Sequence, residues 1–317
     1  GDVVSEVDVE TPWGVVTSVI TTRSVDDLGL VVGWQLAQSR RESRDRYIVA
    51  GVDESFDLTY RGSSPKLGLV WDARRTVQVF ANVSRSFEPP SFSELTGGTA
   101  PVLNSAQRGT TLELGTRGKW AGAGSEVEWD VAVYQARLRN ELLSVSSSPS
   151  VTTTLNADRT LHRGLEAGAS GKAPPTTAGR LEWQLNGLWN DFRLDGDPTL
   201  GNRRLPGLPQ GQLRAQVGWR LKGGTLLAAN LEAATRTEVS FDGDAPHAAG
   251  YAIWGLKAAG QLTPQVAWFI EGRNLADKTY VATTGVVRSR QAWLSNGAQY
   301  MPGDGRSVYA GLDWRFN

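Results

Sequence analysis

Two stretches of this sequence, taken together, combine cations with flat aromatic surface. Residues 194–210 carry the adjacent pair Arg203 and Arg204, and residues 276–304 carry Arg288, Arg290, Trp293 and Tyr300. A guanidinium presents a planar fork of donors to an anion, and an aromatic ring stacks on a flat partner. These six are the candidate ligand-binding residues, and an anionic ligand with a planar part suits them. For each one the simpler reading is a solvated loop side chain. Asp195-Gly-Asp197 and Asp242-Gly-Asp244 offer carboxylate oxygens to calcium. Neither matches a full coordination loop, and Asp-Gly is a routine turn pair, so no metal site is expected.

Reaction chemistry has little to work with. The 317 residues contain no cysteine and only two histidines, His162 and His247, which excludes a disulfide framework, a thiolate metal site and a cysteine nucleophile. No Gly-x-Ser-x-Gly elbow or paired-histidine metal motif is present, and Gly171-Lys172 lacks the upstream glycine and downstream hydroxyl of a phosphate cradle. No catalytic residue is assigned, no cofactor is expected, and the chain is read as not an enzyme. Its 33 basic and 33 acidic side chains cancel, which argues against a nucleic-acid partner. The longest stretch without a strongly polar side chain is 248–256, far short of the ~20 residues of a membrane helix. A mean hydropathy of −0.31 looks soluble, but 12 tryptophans and 36 glycines do not fit a routine soluble domain.

The elements that must carry these residues alternate with period two. Leu181, Trp183, Leu185, Gly187 and Trp189 interleave with Glu182, Gln184 and Asn186; Leu213 to Leu221 and Val308 to Phe316 repeat the pattern. Such segments are strands with one oily and one wet face. Thirteen are read: 14–23, 28–38, 64–72, 76–85, 109–119, 126–138, 161–171, 180–193, 211–221, 225–236, 249–259, 265–275 and 305–316, with 2–9 as a fourteenth. Many exceed the ~5–6 residues usual in soluble sheets and match the ~9–11 of strands that cross a bilayer. The joins 24–27, 73–75, 120–125, 172–179, 222–224 and 260–264 are short, whereas 39–63, 86–108, 139–160, 194–210, 237–248 and 276–304 are long. Strict alternation of short and long predicts an all-β, antiparallel up-and-down transmembrane β-barrel with tight turns on one rim and broad loops on the other.

Trp34, Trp71, Trp183, Trp189, Trp219, Trp254, Trp268 and Trp314 lie on the apolar parity, several near strand ends where an indole bridges hydrocarbon and water. Glu113, Arg117, Glu182, Gln184, Arg214, Arg220, Glu271, Arg273, Asp313 and Arg315 lie on the wet parity and point into a lumen holding water or a plug. In the segment Phe87 to Leu95, Pro89 and Pro90 lack a ladder N–H and end the pairing, a structural role.

Several segments resemble the C-terminal barrel of a TonB-dependent outer-membrane receptor of the siderophore-receptor type. They are Ser64-Pro-Lys-Leu-Gly-Leu-Val-Trp71, Phe80-Ala-Asn-Val-Ser-Arg-Ser-Phe-Glu-Pro-Pro-Ser-Phe-Ser-Glu-Leu95, Thr111-Leu-Glu-Leu-Gly-Thr-Arg-Gly118, Val133-Tyr-Gln-Ala-Arg-Leu-Arg-Asn-Glu-Leu142, His162-Arg-Gly-Leu-Glu-Ala-Gly168, Leu205-Pro-Gly-Leu-Pro209, Glu271-Gly-Arg-Asn-Leu-Ala-Asp-Lys-Thr-Tyr280 and the strand from Tyr309 to Phe316. Singly weak, they are specific in this order over residues 64–317; residues 1–63 carry little of the signal. Such receptors have about 22 strands around a plug, so the whole of 1–317 is expected to be the C-terminal part of such a barrel, with 13–14 strands visible, the plug absent and both sheet edges exposed. A second departure is Asn317 after Phe316, where the family ends on an aromatic residue.

The resemblance implies a Gram-negative outer membrane and active uptake of a ferric siderophore or similar scarce nutrient. It also implies energy supplied by the TonB complex through the missing plug. Long loops then face outward, and an anionic ferric chelate is the expected ligand of the six loop residues. Arg40, Arg41, Arg44 and Arg46, in 39–63, are read equally as facing lipopolysaccharide, which with outer-membrane lipid is an expected partner. Haem, normally bound by loop histidine, finds only His247. The alternatives are a passive channel of about 14 strands and, as a third class, a soluble β-rich binding domain.

Overall fold

The computed structural model describes residues 3–11, 14–25, 27–46, 48, 51–148, 151–296 and 300–316. In chain order the elements are β1 (Val3–Thr11), β2 (Gly14–Val25), β3 (Leu28–Ser43), β4 (Phe56–Arg74), β5 (Val77–Glu88), α1 (Phe92–Thr96), β6 (Gln107–Gly122), β7 (Ser125–Ser148), β8 (Val151–Lys172) and β9 (Gly179–Leu194). They continue with β10 (Gly211–Leu221), β11 (Leu226–Ala234), β12 (Tyr251–Thr263), β13 (Val266–Arg273), β14 (Val281–Thr284), α2 (Arg290–Asn296), β15 (Tyr300–Pro302) and β16 (Ser307–Trp314). β1 to β13 and β16 make one fourteen-stranded sheet in strict chain order, while β14 pairs with β15 alone. Neighbours are antiparallel throughout, and among the described residues β1 and β16 are each paired on one side only. No described helix is long and apolar enough to cross a membrane, which says nothing of strands.

Register turns the local alternation into two continuous faces. Val32, Leu67, Val83 and Leu112 stand opposite one another from β3 to β6. Leu114, Val133, Leu165 and Trp189 do so from β6 to β9, and Val217, Ala229 and Leu256 from β10 to β12. The side chains on this face are open: Trp34 is 58% exposed, Leu114 54% and Leu312 73%. Monomeric soluble proteins rarely expose a contiguous apolar patch beyond a few hundred Å². Here the exposed apolar side chains recur on every strand of the sheet from β3 to β16. The tryptophans named from the sequence fall on it, with Trp71, Trp183, Trp219, Trp268 and Trp314 near the short-turn ends of their strands.

The opposite face is wet. Gln184, Gln216 and Asn230 form one row, and Asn186, Arg214 and Glu232 the next. Its charges neutralise each other locally: Arg220 forks onto Glu182 at 2.7 and 2.8 Å, and Lys172 and Arg180 share Glu126. Rings on both faces lie across glycines of the neighbouring strand. A Cβ at Gly115 would meet Phe80 at 2.3 Å, at Gly164 Tyr134 at 2.4 Å, and at Gly171 Trp183 at 2.7 Å.

The strand count and the two-sided pattern agree with the sequence expectation, but the expected strict loop alternation does not hold. Of the join expected at 139–160, residues 139–148 and 151–160 are strand. β7 runs to Ser148 and β8 starts at Val151, paired from Glu141–Ala157 outward. This extension is held by other chain segments: Asn104 Nδ2 donates to the Thr154 carbonyl at 2.9 Å, and Asn156 Nδ2 to the Ser105 and Asn140 carbonyls. The expected loop 39–63 shrinks to 44–55, because Arg40 and Arg41 belong to β3. Arg40 forks onto Asp57 of β4 at 2.8 and 2.6 Å, and Arg41 Nε donates to the Pro90 carbonyl. Pro89 and Pro90 do end β5, and Ser91 then caps α1 in a reciprocal capping box with Glu94.

Candidate functional site

The long connections 195–210, 235–250 and 274–306 pack on one another and on the outer end of β7, forming a cap. Gly207 N–H donates to the Glu238 carbonyl at 2.8 Å, Val287 N–H to Val239 at 3.0 Å and Ser146 N–H to Val286 at 2.7 Å. Val145, Leu194, Leu205 and Phe241 meet in the middle, with Leu143, Phe192 and Val286 packed against them. This is a water-excluding core of the ordinary kind, built from segments that read as loops.

Three of the six residues expected to bind a ligand, Arg203, Arg290 and Tyr300, reach the segment 239–246 of this cap, and Trp293 lies beside Tyr300. Asp242 is the node. Its Oδ1 accepts the Ser240 hydroxyl at 2.6 Å and the Asp244 N–H at 3.1 Å, and its Oδ2 accepts the Arg290 N–H at 2.8 Å. Burial pushes this carboxyl up, but the Ser240 hydroxyl, the Arg290 and Asp244 amides and the charge of Arg203 outweigh burial and hold it below its ordinary value. The Arg290 guanidinium reaches the Asp244 carbonyl at 3.4 Å. Arg288 follows the fully buried Val287, is exposed and has no ion pair among the described residues. The Tyr300 hydroxyl donates to the Pro246 carbonyl at 2.7 Å. Burial raises its pKa, against a smaller lowering by the Trp293 N–H beside it. That N–H is buried and does not reach hydrogen-bond geometry with any described partner.

Arg204 departs from the group. It bridges antiparallel to Arg193, so its side chain shares the outward face with Arg193, and its Nε lies 3.6 Å from Asp191. Adjacent residues on an extended segment point to opposite faces, which separates Arg203 from Arg204.

Beneath the cap, on the wet side of the wall, lies a cavity of about 360 Å³ lined by Arg214, Glu232 and Tyr251 and by Tyr280, Thr283 and Thr284 of the last connection. The Tyr251 hydroxyl donates to Glu232 at 2.9 Å, its ring lies 4.4 Å from that of Tyr280, and Arg214 Nε is 3.6 Å from Glu232. The Thr284 hydroxyl is buried with no described partner. Of these the sequence reading named Arg214 as lumen-facing but assigned none to a ligand. The signal was there in the wet parity of Arg214 and Glu232 at the outer ends of strands. The Asp-Gly-Asp pairs are occupied locally, Asp197 accepting the Thr199 and Leu200 N–H groups, and no cluster of three metal-ligand side chains occurs among the described residues. His162 stacks on Phe192 at 4.0 Å and lies 3.1 Å from Glu141, a structural setting; His247 is exposed.

Residues 11–275 match the family described as TonB dependent receptor-like, beta-barrel. No curated protein sequence matches the chain. Solved structures with a similar fold include the copper transporter OprC (TM-score 0.73, 15% identity, 96% of this chain and 48% of that one). The siderophore receptor PiuA from Acinetobacter baumannii gives 0.72 at 13% identity, over 95% and 43%. The pyoverdine outer membrane receptor FpvA from Pseudomonas aeruginosa PAO1, bound to pyoverdine, gives 0.65 at 18% identity, over 96% and 42%. The chain thus spans about half the length of these proteins.

Proposed function

Because the chain belongs to the TonB-dependent receptor β-barrel family, we propose that it forms the C-terminal wall and outer cap of an outer-membrane receptor taking up a scarce metal nutrient, a ferric siderophore first among the candidates. Members of this family are transport receptors of the Gram-negative outer membrane, not enzymes. Under this reading residues 1–317 are part of a larger closed barrel, and energy arrives from the TonB complex through a plug.

The observation that carries the reading is the meeting of Arg203, Arg290 and Tyr300 on one segment of the cap, with Trp293 beside Tyr300 and Arg288 exposed nearby in sequence, above a polar cavity on the wet face. Guanidinium groups there capture an anionic chelate from outside, and the cavity lined by Arg214, Glu232 and two tyrosines receives it on the way inward. The fold relatives' own cargoes, copper in one and siderophores in others, favour a metal complex over a peptide or sugar. A passive channel of these fourteen strands alone would require β1 to pair with β16, and the described residues contain no such pairing.

The test is growth and radiolabelled-iron uptake under iron limitation, with individual siderophores as sole iron source, in strains carrying the intact gene, a deletion, or Arg288→Gln/Arg290→Gln. Loss of uptake of one chelate on deletion, with at least a tenfold weaker apparent affinity in the double variant, is the expected outcome, as for removal of two charge-assisted contacts of about 1 kcal/mol each. A deletion strain that takes up every chelate as before overturns the siderophore assignment.

A further inference from the structure

We propose that Asn104 and Asn156 are positioning residues of the cap site: acting through the outer end of β7–β8, they set where the segment carrying Arg288 and Arg290 stands. The inference rests on the reading above that these arginines meet the ligand. It begins from a stability problem. The β6–β7 ladder ends at Arg108–Arg139 and the β8–β9 ladder at Thr160–Leu194. From Glu141–Ala157 outward, β7 and β8 form a ladder only with each other among the described residues. A two-stranded ribbon is marginal by itself in water, so this one depends on the segments that touch it.

Asn140 separates the ribbon from the wall. Its φ is +53°, a left-handed conformation that asparagine tolerates better than most residues, and it drops out of the pairing between Arg139–Arg159 and Glu141–Ala157. Beyond it, alternate side chains of the ribbon meet different segments. Leu143, Val145 and Ala157 pack into the cap core with Leu194, Leu205 and Phe241. Asn156, on the other parity, is held by Ser105. The Ser105 N–H donates to Asn156 Oδ1 at 2.7 Å, and Asn156 Nδ2 donates to the Ser105 carbonyl at 3.0 Å and the Asn140 carbonyl at 2.8 Å. One side-chain amide thus pairs with a backbone residue as a ladder neighbour would, and it also closes the kink. Asn104 Nδ2 donates to the Thr154 carbonyl at 2.9 Å and the Glu94 carbonyl at 3.0 Å, while its own carbonyl accepts the Tyr60 hydroxyl at 2.8 Å. Tyr60 belongs to β4, so the ribbon is tied to a distant part of the wall.

The ribbon in turn holds the arginine segment. The Ser146 N–H donates to the Val286 carbonyl at 2.7 Å. On its other side the Val287 N–H donates to the Val239 carbonyl at 3.0 Å, and the Val287 carbonyl accepts the Phe241 N–H at 3.3 Å. Residues 286–287 are therefore clasped between the ribbon and 239–241, and Val287 is fully buried. Arg288 leaves this clasp directly into solvent, and α2, which begins at Arg290, lies against β7. Arg204 is mounted differently, through its bridge to Arg193 at the end of β9. Loss of the Asn156 amide frees the ribbon, and that freedom reaches Arg288 but not Arg204.

The test measures distances between two spin labels in the complete gene product, in a form whose only thiols are those introduced; residues 1–317 contain none of their own. The reference label goes on Gly223→Cys, in the short turn between β10 and β11, where an added Cβ meets nothing within 4 Å. The second goes on Arg288→Cys or, as the control, on Arg204→Cys. β10 is 11 residues long, which puts the labels about 40 Å apart, within reach of pulsed dipolar spectroscopy. Asn156→Ala is expected to broaden the 223–288 distance distribution about twofold, Asn104→Ala to broaden it less, and neither to change 223–204. An unchanged 223–288 distribution overturns the proposal. Equal broadening of 223–204 also overturns it, because the asparagines then hold the cap as a whole. If Asn156→Ala does not insert, Asn156→Asp, which keeps the acceptor for the Ser105 N–H, and Asn104→Ala decide by the same criterion. The distances are read without ligand, so their failure leaves the receptor reading standing. A deletion strain that takes up every chelate as before removes that reading and leaves the distances unaffected.

Discussion

The wall and the cap solve opposite problems with the same amino acids. In the wall, leucine and tryptophan face away from the protein, and neighbouring strands are held by ladder hydrogen bonds and by polar pairs such as Arg220–Glu182. In the cap, Leu194, Leu205 and Phe241 turn toward each other and are at most 9% exposed. Hydrophobic burial within the chain therefore stabilises the loops, whereas the strands leave their apolar side chains for an outside medium, which under the proposed function is lipid. The difference teaches that the cap is a folded unit docked on the wall and that its stability is separable from insertion.

The sharpest separation is expected from Leu194→Ala. Opening a cavity in the cap core costs about 2–5 kcal/mol, read as faster amide exchange in 195–210 and 239–246, with the sheet of β10–β13 unaffected. Leu114→Arg does the reverse. An arginine in the middle of the outward band costs about 2–4 kcal/mol of insertion, measured by urea titration in vesicles, and cap exchange in the folded fraction stays as in the wild type. A smaller effect comes from acid. The Asp242 carboxyl is held below its unfolded value, so its contribution is full above the ordinary carboxylate range near pH 4 and is lost as pH falls through the lower folded value. Trp293 emission is expected to shift in that acid window, and Asp242→Asn to abolish the shift; an unchanged transition in the variant breaks the link between Asp242 and the helix α2. The smallest is Tyr300→Phe, which removes the bond to Pro246 and costs about 0.5–1.5 kcal/mol, visible only as local exchange at 244–250.

Strand identity and facing were legible because a period of two is written in each segment without help from elsewhere. Trp254 and Leu256 declare their side of β12 by alternation alone. The outer end of β7 and β8 was not, because Ser144 to Ser148 and Thr152 to Thr154 read as a soluble loop. Their pairing depends on Asn104 and Asn156, which are supplied by contacts 50 and 51 residues away in sequence. The sequence shows Arg203, Arg290 and Tyr300 only as residue types in two separate long connections; that they meet at one segment follows from the fold, and the split between Arg203 and Arg204 follows from the bridge to Arg193. The central role of Asp242 was hidden behind a dipeptide that usually means no more than a turn.

The rings lying across glycines have one more consequence. Shifting β5 by a single position against β6 would drive Phe80 into a neighbour that carries a side chain and would turn Val83 of β5 toward the wet face. Phe80 over Gly115, Tyr134 over Gly164 and Trp183 over Gly171 therefore act as keyed teeth. A one-residue slip in any of these three hairpins thus meets a steric clash as well as a mispaired face.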